Sequence, residues 1–283
     1  MCSPVVERIV RERIAKEGHP QISRRNLLKF GGMTAAGLAA ASFVSPARRA
    51  IAQEMAGVID LSYIFATEMP TYLLGETPTR EDYVTVENDG FYIQRWNYTE
   101  HAGTHMDIPA HFVAEGETVD RYPPALLVST AVVIDISAKA EEDPDAMLDV
   151  EDIEAWESAN GELPLGAVVF MYSGWESRWP DVETFRNADD DGVMHFPGFS
   201  PDAAAFLVAE RDIHGIGVDT LSLDNGASAT FDVHLTILGA GKYGIEGVAN
   251  LPALMENPGA MVVAGVPRWE EGSGGPCRLL AII

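Results

Sequence analysis

A cluster of histidines and one aspartate between His101 and His111 constrains this chain more than any other feature. Three of the seven histidines fall within these eleven residues, together with Asp107. Imidazole nitrogens and carboxylate oxygens in combination suit Zn²⁺, Mn²⁺ or Fe²⁺. Gly103 and Pro109 disrupt a helical pattern, and no glutamate follows the first histidine as it does in helical zinc-protease motifs. The sequence therefore predicts a metal site on a turning loop, which needs a folded domain to hold it.

The N-terminal residues 1–52 are predicted to be an export signal. Ser23–Lys29 contains a twin-arginine pattern, a weakly apolar run extends from Phe30 to Val44, and Ala50–Ala52 offers a cleavage site. The apolar run is shorter than the roughly 20 residues that a spanning helix needs. The alternative interpretation is an amphipathic first helix of the domain. We expect residues 53–283 to form the mature protein, periplasmic or secreted.

The charge balance excludes several classes of partner. The chain has a formal net charge of −24, and nine of its 19 Lys and Arg residues lie within residues 1–52. The remainder is therefore more acidic still, with Lys139 and Lys242 as its only lysines. Such a surface repels nucleic acid and anionic lipid. We expect a small-molecule substrate, no nucleic acid, and no membrane contact after signal removal.

Cysteine usage excludes an internal disulfide in the predicted mature chain. Cys277 is the only cysteine after residue 52, so no intramolecular partner exists for it. Its flanking residues predict a loop that enters a terminal strand. A buried structural thiol is favoured over a reactive one.

The pattern of strands and helices predicts one mixed α/β domain. Hairpin signals occur together with crossover connections, and no internal repeat or linker divides residues 53–283. Strands outnumber helices, which favours a mixed or largely antiparallel sheet over a doubly wound parallel one. Predicted strands cover Gly57–Ser62, Tyr83–Glu87, Phe91–Thr99, Leu126–Ile136, Ala167–Tyr172, Gly215–Thr220, Met261–Val266 and Arg278–Ile283, and predicted helices cover Val150–Ala159 and Pro201–Arg211.

Two distant residues are candidates to complete the metal site. His234 precedes an apolar run, and Glu246 lies between glycines and apolar residues, where a carboxylate needs a partner. His214 is predicted to be exposed at a helix-to-strand turn. His195 could line a pocket, although structural packing is favoured.

The cluster resembles the signature of the cyclase family of metal-dependent hydrolases, which includes kynurenine formamidases and isatin hydrolases. The matching positions are His101, Gly103, Thr104, His105, Asp107, Pro109 and His111. Further blocks in family order are Asp60–Ser62 with Pro70 and Tyr72, Ser173–Trp175, Phe196–Gly198, Gly217–Thr220 and Gly272–Arg278. The resemblance implies a single mixed β-sheet or barrel-like domain with flanking helices, of the swivelling β/β/α type.

The resemblance also implies a role for each matching residue. His101, His105 and Asp107 would bind the first metal. In members with two metals Asp107 bridges to a second, held also by His234, with Glu246 shared. His111 matches the proton-transferring histidine. Tyr72 falls where formamidases carry a tryptophan against the substrate, and it could instead be loop packing. The resemblance also implies a homodimer or homotetramer.

The expected chemistry is hydrolysis of a non-peptide amide C–N bond in a small aromatic or cyclic substrate. A divalent metal, Zn²⁺ or Mn²⁺ with one or two ions per subunit, would supply bound hydroxide. Neutral His111 would move a proton from water to the leaving nitrogen. Asp219 and Asp224 could orient ligand imidazoles or could cap loops. Arylformamidase-like activity is the named prediction. Open alternatives are cyclic amide, imide or lactone hydrolysis, ring closure, and a non-catalytic periplasmic binding protein.

Overall fold

The computed structural model of the chain describes residues 57–283. They form two units: residues 79–97 make up the smaller one, and residues 57–78 with 98–283 make up the larger one. The predicted signal at residues 1–52 lies outside the described residues. The strands are β1 Val58–Asp60, β2 Thr79–Val84, β3 Ile93–Asn97, β4 His105–Asp107, β5 Val128–Asp135, β6 Met147–Leu148, β7 Ala167–Tyr172, β8 Gly198–Phe199, β9 Ile213–Val218, β10 Tyr243–Glu246, β11 Met261–Gly265, β12 Gly274–Pro276 and β13 Arg278–Ile282.

A mixed sheet of nine strands forms the centre of the larger unit. Its strand order is β1-β13-β11-β5-β7-β9-β10-β4-β12. The central strands β5, β7, β9 and β10 are parallel, whereas the strands on both sides pair antiparallel. The run from Ala167 to Met171 in β7 is fully buried, as expected for a parallel strand covered on both faces. The predicted mixed α/β sheet with flanking helices is confirmed.

A few contacts, rather than a strand pairing, join the end of β1 to the chain that follows β10, and one of them is the hydrogen bond from Asn250 Nδ2 to the Asp60 carbonyl. An isolated antiparallel bridge joins Ser62, just after β1, to Val248, just after β10, and the Ala249 backbone N–H donates to the Leu61 carbonyl at 2.9 Å. Strands β1 and β12 otherwise stand at the two ends of the strand order. One bridge does not make a barrel, so the barrel-like character remains a prediction.

The described residues contain seven α-helices, the first of them in the smaller unit. They are α1 Val86–Asp89, α2 Ser137–Glu142, α3 Val150–Asn160, α4 Val182–Arg186, α5 Pro201–Glu210, α6 Asp232–Gly239 and α7 Leu251–Met255. Both predicted helices are present: Asp149 and Asp152 form a capping box on α3, and the Ser200 side chain caps α5, which has Pro201 in its first turn. No helix within residues 57–283 is long and apolar enough to cross a membrane.

The smaller unit is a two-stranded hairpin whose boundaries differ from the prediction. Strand β2 ends at Val84 and pairs antiparallel with β3, which begins at Ile93. The residues between the two predicted strands, Asn88–Gly90, are instead the end of the short helix α1. The Thr85 side chain accepts from the Asn88 N–H, and Gly90 terminates the helix with a φ of 80°. Local capping therefore converts the residues after Val84 from strand to helix.

Candidate metal centre

Strand β4 places two of the predicted metal ligands side by side. His105 and Asp107 are two residues apart on one strand, so both side chains point to the same face. In the antiparallel pairing with β10, Glu246 stands directly opposite His105. The His105 Nε2 atom lies 3.3 Å from Glu246 Oε2 and 3.5 Å from Asp107 Oδ1. The prediction of a purely loop-borne site is therefore wrong, because sheet pairing overrides the flanking Gly103 and Pro109.

His234 reaches the same point from helix α6. Its Nε2 lies 3.1 Å from Glu246 Oε1 and 3.5 Å from Asp107 Oδ2. Its Nδ1 lies 2.6 Å from Asp224 Oδ2, and the same carboxylate accepts the backbone N–H groups of Val233 and His234. Asp224 thus orients the imidazole and caps the first turn of the helix, which supports the predicted orienting role.

His101 is held by a pair of residues that the sequence did not indicate. The Ser273 hydroxyl donates to Glu100 Oε2 at 2.6 Å, so its oxygen accepts from His101 Nε2 at 2.9 Å. This leaves His101 Nδ1 facing Asp107 Oδ1 at 2.6 Å. His105 is oriented in a comparable way, because its Nδ1 donates to the Gly103 carbonyl at 2.9 Å. The outer nitrogen of each imidazole is bonded, and the inner nitrogen faces the carboxylates.

The electrostatics of this cluster depend on its mixture of imidazoles and buried carboxylates. Burial alone lowers the pKa of His105, but Glu246 and Asp107 outweigh it and raise that pKa to about 9. Burial raises the pKa of Asp107, yet the neighbouring imidazoles of His101 and His234 hold it well below its ordinary value. Each carboxylate is thus ionised at neutral pH and is surrounded by nitrogen donors.

The donor set fits a divalent cation. Asp107 Oδ2 is buried and has no hydrogen-bond partner among the described residues, which is costly for a carboxylate oxygen unless another group neutralises it. Two groups of side chains sharing Asp107 bring their donor atoms within 4.8 Å of one another: His101, Asp107 and His111, and His105, Asp107 and Glu246. Nitrogen and carboxylate donors of this kind suit Zn²⁺ or Mn²⁺.

His111 lies beside the cluster on the short 3-10 helix Pro109–His111. Its ring stacks on that of His101, with centroids 3.6 Å apart and planes 19° apart. Burial lowers the pKa of His111 to about 4, so the imidazole is neutral at physiological pH. A neutral imidazole can accept a proton, as the predicted role requires, but a pKa of about 4 makes His111 a weaker base than an ordinary histidine.

A cavity of about 680 Å³ opens onto these residues. Tyr72 lines it, together with Phe112 and Phe231. The ring centroids of Tyr72 and Phe231 are 6.0 Å apart, and those of Phe112 and Phe231 are 5.5 Å apart. The structure thus brings Tyr72 to the same cavity as five of the six predicted metal and proton-transfer positions. The sixth, Asp107, is completely buried and does not line the cavity.

Other candidates from the sequence lie elsewhere. Asp219 accepts hydrogen bonds from Ser173 and Trp175 and contacts no ligand imidazole, so it caps a loop. His195 pairs with Asp145 at 2.8 Å, away from the cavity. The prediction that His214 is exposed is wrong, since it is half-buried in β9 and bonded to Ser129 at 2.9 Å. Cys277 is buried as predicted.

Comparison with known proteins identifies the class to which this fold and site belong. The chain matches the Cyclase family model, described as "Putative cyclase", over residues 59–225. Isatin hydrolase from Roseibium aggregatum is 32% identical over 228 residues, covering 76% of this chain and 86% of that protein. Kynurenine formamidase from Salinibacter ruber is 27% identical over 184 residues, covering 63% of this chain and 74% of that protein.

A solved structure supports the same assignment. Isatin hydrolase A from Labrenzia aggregata, bound to benzyl benzoate, matches with a TM-score of 0.74 at 31% identity, covering 84% of this chain and 99% of that one. This chain belongs to the Cyclase family. Both named relatives are consistent with the predicted amide hydrolase, and neither favours ring closure or binding without turnover.

Proposed function

We propose that this protein is a divalent-metal-dependent hydrolase of a non-peptide amide C–N bond in a small aromatic substrate. The observation that carries the proposal is the unpartnered Oδ2 of buried Asp107, surrounded by imidazoles below an aromatic-walled cavity. His101, His105, Asp107, His234 and Glu246 would hold the metal. When bound, the metal lowers the pKa of coordinated water and polarises the substrate carbonyl. Zn²⁺ or Mn²⁺ is expected, and the two donor groups that share Asp107 have room for one ion or two.

The residues of the chain supply the proton transfer and the binding. The neutral imidazole of His111 takes a proton from the attacking water and returns it to the leaving nitrogen. Asp224 and Ser273 keep the imidazoles of His234 and His101 turned toward the carboxylates. Tyr72 and Phe231 enclose the aromatic part of the substrate and limit the access of water.

Within this class, two substrates are distinguished by the position of the amide bond. Arylformamidase-like specificity, for an open-chain N-formyl arylamine, is supported by the similarity to kynurenine formamidase over 184 residues. Hydrolysis of an amide inside a ring fused to an aromatic system is supported by the longer similarity to isatin hydrolase over 228 residues. The latter similarity makes the ring amide the second candidate.

The experiment is a hydrolysis screen with purified protein that has been stripped of metal and reloaded with Zn²⁺ or Mn²⁺. N-formylkynurenine, formanilide, isatin and an aliphatic formamide are the substrates. The proposal predicts metal-dependent release of acid from one or both aromatic amides, and little from the aliphatic control. Equal activity of stripped and reloaded protein would refute it, as would activity confined to the aliphatic control.

Export and assembly are further parts of the proposal. The twin-arginine pattern at Arg24 and Arg25 supports export to the periplasm, and Arg24→Lys with Arg25→Lys would retain the protein in the cytoplasm. The family resemblance supports a homodimer or homotetramer. Light scattering of the purified protein measures that state, and a monomer would contradict it.

A further inference from the structure

A buried arginine lies behind the cavity wall that contains Tyr72. Arg186 is the last residue of α4 and is only 8% exposed. No carboxylate in the described part of the chain forms an ion pair with it, and burial lowers the pKa of its guanidinium. A buried charge is costly unless it is hydrogen-bonded. The contacts that Arg186 does make are therefore informative.

Arg186 is bonded to the backbone of the cavity wall. Its Nη1 donates to the carbonyl oxygens of Thr71 and Tyr72. Nη1 carries two hydrogens, so each carbonyl can receive one. Such charge-assisted bonds are stronger than bonds between neutral groups. The guanidinium thus fixes two successive peptide units.

Few other hydrogen bonds hold this stretch of chain. Between residues 66 and 78, the remaining bonds found among the described residues are local: the Thr71 hydroxyl and the Glu76 N–H both donate to the Leu73 carbonyl. Met69 packs in the interior, whereas Leu74 is 79% exposed. The bonds from Arg186 therefore link the wall to the rest of the unit at the residues that line the cavity.

We propose that Arg186 is a positioning residue for substrate binding, which holds the backbone at Thr71 and Tyr72 so that the Tyr72 ring faces Phe231 across the cavity. This inference rests on the proposed function, since it assigns a purpose to the cavity. Arg186 is not one of the reacting groups. Its guanidinium is hydrogen-bonded to backbone carbonyls and to neither Asp107 nor the proton-transferring His111.

The proposal predicts a division between binding and turnover. Without the two bonds, the wall samples arrangements that do not fit the substrate. Apparent affinity falls in proportion to the fraction of molecules that remain competent. Loss of one charge-assisted bond is enough to reduce that fraction about tenfold. Once substrate is bound, the metal ligands and His111 are unchanged, so kcat is retained.

The test compares Arg186→Met, which keeps an unbranched apolar stem and removes the donors, with Arg186→Lys, which keeps a charge and one donor nitrogen. Arg178→Met is the matched control, because Arg178 also donates to one backbone carbonyl, that of Thr184, in the same region. Steady-state kinetics on the best aromatic amide from the screen and elemental analysis of bound metal are measured for each protein. Arg186→Met should raise KM about tenfold with kcat and metal content near wild type, Arg186→Lys should be intermediate, and the control should be unchanged.

A second measurement tests the tether, meaning the hydrogen bonds from Arg186 to the backbone at Thr71 and Tyr72, and needs no turnover. Brief chymotrypsin treatment cleaves after exposed aromatic and leucine residues, and the cut at Tyr72–Leu74 is compared by mass spectrometry with the cut at Leu165, which is 83% exposed. The ratio of cleavage at Tyr72–Leu74 to cleavage at Leu165 should be higher in Arg186→Met than in the wild type. If the wild type hydrolyses no amide, the proposed function fails while a raised ratio still supports the tether. Wild-type KM with an unchanged cleavage ratio would overturn the inference, and so would a loss of kcat with loss of metal. If Arg186→Met does not fold, Arg186→Lys decides by the same criteria.

Discussion

Asp107 and Asp219 are both completely buried, yet their surroundings differ in kind. Both oxygens of Asp219 receive hydrogen bonds from fixed donors, namely the N–H and hydroxyl of Ser173 and the N–H of Trp175. Asp107 Oδ1 lies 2.6 Å from His101, and Asp107 Oδ2 has no hydrogen-bond partner in the described chain. The protein itself supplies hydrogen-bond donors to both oxygens of Asp219, whereas Oδ2 of Asp107 receives none from the described residues.

The difference shows that burial alone does not mark a functional carboxylate. Burial raises the pKa of Asp219 to about 6, even against three stabilising hydrogen bonds. The imidazoles around Asp107 instead keep its pKa low. A fully satisfied carboxylate organises a loop, whereas an ionised one with unused acceptor capacity is suited to bind a cation.

The largest expected effect comes from Asp107→Asn. The amide is nearly isosteric but loses the negative charge shared by both donor groups. We expect bound metal to be lost and activity to fall at least a thousandfold, on the order of what loss of a catalytic metal costs. Elemental analysis and steady-state kinetics measure both effects. If Asp107→Asn kept its metal and its rate, Asp107 would not be a metal-binding carboxylate and would not differ in role from Asp219.

His111→Ala should separate proton transfer from metal binding. A positioned general acid–base contributes about 10²–10⁴-fold to rate, so kcat should fall by that amount. Metal content should stay at the wild-type level, because the remaining imidazoles and carboxylates are intact. Loss of metal in this variant would show that His111 acts as a ligand, which its membership of one donor group permits.

Asp224→Asn tests how the imidazole of His234 is oriented. Loss of a carboxylate that orients a metal-binding histidine typically costs about 10–100-fold in metal affinity. Competition with a chromogenic chelator measures the change. Ser273→Ala provides a parallel test at His101, where the hydroxyl is the only hydrogen-bond partner of Nε2 within residues 57–283. Unchanged affinity in both variants would mean that ligand orientation does not depend on these residues.

Metal affinity should increase with pH. In the metal-free protein His105 has a pKa of about 9, so it is protonated at neutral pH, and a metal must displace that proton. Each proton released makes affinity rise about tenfold per pH unit. The rise should continue from pH 6 to at least 9, because His105 must lose its proton and the pKa of His234 is also raised well above its ordinary value. Affinity that is independent of pH across this range would argue against His105 as a ligand.

Asp219→Asn should have the smallest effect on the site. The amide cannot accept all three hydrogen bonds, so one buried donor loses its partner at a cost of about 1–3 kcal/mol in the free energy of unfolding. Metal content and kcat should remain as in the wild type. Thermal or urea unfolding of the metal-free protein measures the stability change, and loss of metal here would contradict the role of Asp219 as a loop cap.

Local patterns predicted the chemistry of the site better than its geometry. The spacing from His101 to His111 and the isolated Glu246 indicated the donor set, because few other environments accommodate such residues. The strand at His105–Asp107 could not be predicted, since three residues close to Gly103 are too few to show a periodicity. Their extended conformation depends on the pairing with β10. Ser273 lies 172 positions from His101, and such contacts depend on tertiary structure alone.

The same reasoning explains the other differences between sequence and structure. The mixed sheet was predicted from hairpin signals together with crossover connections, but its parallel centre was not, and the hairpin boundary depended on the capping of α1 by Thr85. Arg186 gave no signal, because an arginine at the end of a short helix is ordinarily solvated. Its role becomes visible only when its burial and its two carbonyl partners are known.

Calorimetric titration of the metal-free protein with Mn²⁺ or Zn²⁺ tests the central claim most directly. Wild type, Asp107→Asn and Asp219→Asn are compared at one pH. The account predicts the same stoichiometry, one or two ions per chain, for wild type and Asp219→Asn, and no specific binding for Asp107→Asn. Binding by Asp107→Asn with wild-type affinity, or its loss in Asp219→Asn alone, would contradict the account.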